Sequence, residues 1–100
     1  MRVFPCDRYP LPLPAQHRFP LDKYRRLRVR LEQHAAAGVP LEFIEPHAAT
    51  DDELLRVHCR HYVGRVLSGT LSPQEERRIG FPWSRELVER SLRSTGAAVD

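Results

Sequence analysis

Apolar residues recur along this chain in short segments with different periods, and prolines and glycines fall between the segments. Val3-Phe4 is a brief apolar run closed by the turn formers Pro5 and Asp7, which predicts a short buried strand. Tyr24, Leu27, Leu31 and Ala35 then repeat at helical spacing behind Pro20, with Gly38 and Pro40 as stop signals, so a helix is expected over about residues 21–37. "VPLEFIEP" alternates between prolines and predicts a second strand around residues 41–45. Strand, helix and strand in that order read as a βαβ unit.

The second half is written in helix-end chemistry. Thr50 with Glu53 forms a capping box, in which the threonine oxygen takes the N3 amide and the glutamate reaches back, and Asp51 and Asp52 suit the positive end of the helix. An apolar face runs on through Leu54, Leu55, His58, Tyr62, Val66 and Leu67, with a break expected near Cys59-Arg60 and an end at Ser68-Gly69. On that face His58 reads as a core side chain beside Leu54 and Tyr62. Ser72-Pro73-Gln74-Glu75 is a second capping box with proline at the first helical position, and that helix should stop at Gly80. Pro82 forbids helix at Phe81, and Ser84 caps a last helix carrying Leu87, Val88, Ser91, Leu92 and Thr95 on one face.

One hundred residues suffice for one small domain, here taken as residues 1–100 with no second domain. With 41% hydrophobic and 29% charged residues the composition is that of a globular protein. No apolar run approaches the roughly 20 residues a membrane helix needs, and Met1-Arg2-Val3-Phe4-Pro5 has no signal-peptide core, which predicts a cytoplasmic protein without a membrane partner. Cys6 and Cys59 belong to no CxxC pair and are read as free thiols.

The charge of +3 and pI near 9.3 raise the question of nucleic acid, since Arg18, Lys23, Arg25, Arg26, Arg28 and Arg30 are closely spaced. On a helical wheel these cations spread around most of the polar circumference, which fits a solvated face rather than a nucleic-acid surface. Arg25 stands apart because it adjoins Tyr24 at the edge of the apolar stripe, where a buried guanidinium needs a specific partner. "HCRH" (58–61) is the most metal-like cluster, yet no second clustered pair completes a four-ligand site, so no metal is expected on this chain. The five glycines are isolated, so no phosphate loop is present, and no local signature marks a nucleophile triad. The proline loop "PLPLPAQHRFP" and "GFPWS" remain. Aromatic residues on rigid loops usually line a pocket or an interface.

"LPLPAQHRFPLDKYRRLR", "IEPHAATDDELLRVHCRHYVGRVLSG", "RRIGFPW" and "RSTGAA", in this order and spacing, resemble the N-terminal third of the histone deacetylase and acetoin-utilisation family, most of all its bacterial branch. The resemblance runs from Val3 to Ala98. It implies an α/β fold, the start of a three-layer parallel-sheet arginase/deacetylase architecture with the βαβ unit followed by three to four helices. It also implies a zinc-dependent deacetylase as the whole protein, with an acylated lysine or similar acylated amine as substrate and the zinc at the floor of a narrow channel. His17, Arg18, Phe19 and Pro20 would then belong to the first channel loop. Phe81, Pro82 and Trp83 would belong to the second rim loop, where many eukaryotic members carry an acidic residue that is absent here. Arg25 would lie beneath the active site, and His58 with Tyr62 would form a structural pair. The family's metal ligands and catalytic tyrosine lie beyond the position of Asp100, and "RSTGAAVD" resembles the front of a long helix cut short. The alternative from another class is a non-catalytic module that binds a partner protein through "FPW" and the proline loop.

Overall fold

The computed structural model describes residues 1–99. Its elements are β1 (Arg2–Val3), α1 (Asp22–Ala36), β2 (Glu42–Phe43), α2 (Asp51–Leu55), α3 (Arg60–Ser68), α4 (Pro73–Ile79) and α5 (Arg85–Val99). The fold class differs from the expectation. The chain is mostly helical, 52% helix and 4% strand, with one two-stranded parallel sheet, and it does not show the start of a three-layer α/β arginase/deacetylase fold. The physical reason lies in the strand segments. β1 and β2 pair in parallel with Arg2 opposite Glu42 and Val3 opposite Phe43, but Pro5, Pro40 and Pro46 flank both segments, and a proline has no amide to lend to a ladder.

The capping boxes form as their sequences require. Thr50 Oγ1 accepts the Glu53 amide at 3.2 Å while Glu53 Oε1 accepts the Thr50 amide at 2.9 Å. Ser72 and Glu75 repeat the pair at 3.2 and 3.0 Å. The glycines that close α3 and α4, Gly69 and Gly80, take φ of 75° and 87°, a left-handed conformation that costs glycine least. Ser84 Oγ accepts the Leu87 amide at 2.9 Å at the start of α5.

α5 is the element on which the loops converge. Gly96 is buried against the segment 46–49, and a Cβ built there would overlap the His47 carbonyl oxygen. The Ala49 amide donates to Leu92 O at 2.9 Å, and Arg93 Nη1 donates to Pro46 O at 2.8 Å. Arg90 Nη1 donates to Tyr9 O at 2.6 Å, which ties the N-terminal loop to the same helix. The core is thin: Leu11, Ala49 and Val63 are its buried hydrophobic side chains, with Pro46 fully enclosed. Among the described residues no helix is long and apolar enough to cross a membrane.

Candidate functional site

The two loops singled out by composition meet. The stretch 14–20 turns back on itself, with the His17 amide donating to Pro14 O at 2.9 Å and the Leu21 amide to Phe19 O at 2.8 Å. His17 Nε2 lies 2.9 Å from the carbonyl oxygen of Gly80, 63 residues away, where α4 ends. The His17 ring stacks on Phe81 with centroids 5.4 Å apart and planes at 19°. Phe19 meets the same Phe81 edge-on at 5.1 Å and 88°, and Tyr24 of α1 lies 6.0 Å from Phe19. Lys23 stands 5.6 Å from the Phe19 centroid and 5.0 Å from that of Tyr24, so a cation borders the aromatic cluster. Arg18, Pro20 and Pro82 are exposed at its margin.

Trp83 is anchored rather than displayed. Its indole Nε1 donates to Val66 O at 2.7 Å, its amide donates to Glu76 Oε1 at 3.3 Å, and its six-membered ring covers Gly69, where an added Cβ would come within 2.9 Å. Tryptophan behaves this way when its apolar body is buried and its single donor finds a carbonyl. Beside it a cavity of about 310 Å³ opens between α3, α4 and α5, lined by Val66, Leu71, Ile79, Trp83, Leu87 and Ser91 among others.

The rings of His58 and Tyr62 lie with centroids 5.6 Å apart, tilted at 42°. His58 is nevertheless exposed, in contrast to the core position expected of it, because α2 stops at Leu55 and the chain turns before Arg60, carrying His58 to the mouth of the cavity. Arg25 is also displaced from expectation. Its side chain is 58% exposed and pairs with Asp22 on its own helix at 3.0 Å, whereas Arg28, at 25%, holds Asp7 at 2.7 Å. Asp7 is the most enclosed charge of the region, 9% exposed, and its Oδ1 is buried without a hydrogen-bond partner. Spacing alone does not separate the two arginines, since both lie beside the apolar stripe; the partner that distinguishes them comes from 21 residues upstream.

Sequence reasoning also missed Arg90 and Arg93. They sit three apart on α5, and besides their carbonyl contacts they lie over Tyr24 at 5.0 Å and Tyr9 at 4.9 Å. Tyr9 in turn donates to Glu45 Oε1 at 2.6 Å, a bond that pushes its phenol above the usual range. Two arginines three apart on α5, on the side away from its apolar stripe, were the available signal.

The charges around the helix ends are strongly biased. Arg65 and the Ser72 amide hold Glu75 down to about 2, and the Thr50 amide, then His47, lowers Glu53. Burial pushes the Cys6 thiol up, which makes it a poor nucleophile. Cys6 and Cys59 are both free thiols. Among the described residues no group of three or more His, Cys, Asp or Glu side chains could hold a metal ion.

No family model matches the chain. It is 36% identical over 91 residues to an uncharacterized protein of Picosynechococcus sp., an alignment that covers 91% of this chain and 30% of that protein. The chain thus spans less than a third of the length of this curated relative.

Proposed function

We propose that this chain is the N-terminal scaffold and substrate-channel segment of a zinc-dependent deacetylase of the histone deacetylase and acetoin-utilisation family, acting on an acylated lysine or similar acylated amine in the cytoplasm. The observation that carries this reading is the joining of the His17–Pro20 loop to the Gly80–Trp83 loop in one aromatic cluster. These are the two stretches whose sequences resemble the family's channel loops. An aromatic wall of this kind suits the methylene stem of an acylated lysine, which is apolar along its length. The alignment with a relative about three times as long is consistent with a segment that works with further chain. The metal ligands are assigned to that further chain, and the residues described here bind and orient.

The reading is tested in the genomic sequence after Asp100, in this frame or a shifted one. It should encode two adjacent histidines in a glycine-rich loop and then a hydrophobic strand ending in Asp-x-His, because a zinc hydrolase needs carboxylate and imidazole ligands on rigid ends. A protein carrying both parts should hydrolyse acetyl-lysine, and Phe81→Ala should raise its KM more than it lowers kcat. Unrelated sequence in all frames would overturn the proposal. The rival, a non-catalytic module using the proline loop and "FPW" to bind a partner protein, is favoured by the open apolar cavity beside Trp83 and would then take its place.

A further inference from the structure

His17 uses both ring nitrogens, and the two partners specify opposite roles. Gly80 O is a carbonyl oxygen with no proton to give, so at 2.9 Å Nε2 must carry the hydrogen. The Phe19 amide is a donor only, so at 3.1 Å Nδ1 must offer its lone pair. The neutral imidazole with its proton on Nε2 is the one state that satisfies both. An imidazolium keeps the bond to Gly80, because Nε2–H donates in either state, but it loses the bond from Phe19. A second proton therefore cuts one of the two ties selectively and leaves the part-buried Phe19 amide facing an N–H.

We propose that His17 is a proton-operated latch on the rim: the neutral ring clasps the 17–20 loop to the end of α4 and to Phe81, and protonation at Nδ1 releases Phe19 and loosens the aromatic cluster. The three segments that meet at the ring carry charged groups. Arg18 follows it in the loop, Lys23 borders Phe19 from α1, and Arg77 and Arg78 occupy the last turn of α4, where Glu76 is engaged with the Trp83 amide. The carbonyl that the ring holds belongs to the C-terminal end of α4, an end that favours a positive charge. That the latch governs substrate access rests on the deacetylase reading above. The latch itself is a property of these residues and stands apart from it.

Nuclear magnetic resonance of the histidine ring nitrogens, followed together with amide hydrogen exchange between about pH 5 and 8, tests the proposal without substrate or metal. At the alkaline end His17 should appear as the Nε2–H tautomer with a bonded Nδ1. Through the titration of His17 the protection factor of the Phe19 amide should fall roughly tenfold, the worth of one hydrogen bond, with the midpoint that His17 itself shows. In His17→Phe, which keeps the stack and lacks both bonds, Phe19 protection should be low and independent of pH. An Nδ1–H tautomer at the alkaline end would overturn the latch. So would Phe19 protection unchanged through the His17 titration, or a pH response that persists in His17→Phe. Failure of the deacetylase reading would leave each of these measurements as it is.

Discussion

Between Thr50 and Gly80, α2 and α4 start in capping boxes and α3 and α4 stop at left-handed glycines, while α1, longer than any helix of that stretch, has no side-chain cap at Leu21. Those ends need nothing distant: a hydroxyl and a carboxylate serve at the start, and a left-handed glycine at the stop. α1 is held instead by side chains from elsewhere. Asp7 grips Arg28, and Arg90 lies over Tyr24. Local signals therefore build the second region, and long-range contacts hold the first against it.

The two regions are joined at α5, and the largest expected effect lies there. Gly96→Ala should destabilise the chain by about 2–3 kcal/mol, because the new methyl group meets backbone rather than a side chain that could turn aside. Segment 46–49 must then lift, loosening Ala49 from Leu92 and Arg93 from Pro46. Urea denaturation measures this, with Gly64→Ala as control. Nothing lies within 4 Å of a Cβ at Gly64, and that substitution should gain up to about 1 kcal/mol of helix propensity. Equal effects at the two glycines would mean that segment 46–49 does not rest on α5.

A smaller but informative effect separates two neighbouring arginines. Arg28→Ala should lower the urea midpoint clearly more than Arg25→Ala, since it strands the Asp7 carboxylate, which is 9% exposed and already has one unpartnered oxygen. Arg25→Ala removes a solvated pair with Asp22, the kind that contributes little. If Arg25 proved the more damaging in folding, its place on α1 would have to be closer to the interior than its 58% exposure indicates.

The same division explains what was legible beforehand. Both capping boxes, the stops at Gly69 and Gly80 and the Ser84 cap can be read from four or five consecutive residues, and all are present. The periodicity of α1 marks the right helix within a residue or so, yet Leu27 on its apolar stripe is 57% exposed, because period predicts a face and not what covers it. The α/β class failed for a related reason. An apolar run between prolines looks like a strand, but how long its ladder grows depends on a partner that the run itself does not specify. At the rim, composition picked out His17, Phe19, Phe81 and Trp83. It did not tell that His17 reaches Gly80 or that Trp83 turns inward to Val66, since both are contacts across many residues.

The smallest effect tests whether the second region is as self-contained as its caps suggest. Glu75 sits at about 2 in the folded chain, held first by Arg65 and then by the Ser72 amide, against an ordinary value of 4.5. A folded carboxylate held below its unfolded value stabilises above the unfolded value, and that contribution disappears as the pH falls from 4.5 towards about 2. Glu53 is lowered by its own capping bonds and adds a loss of the same sign. The melting temperature should therefore decline across this acid range. Glutamine can still complete a capping box but cannot attract Arg65, so Glu75→Gln should flatten part of that decline and leave the neutral-pH helix content in place. An acid profile identical in Glu75→Gln would mean that Arg65 does not engage Glu75 in solution. In that case α3 and α4 would be joined through Trp83 on the Val66 carbonyl rather than through charge, and the second region would depend on the rim more than its helix ends imply.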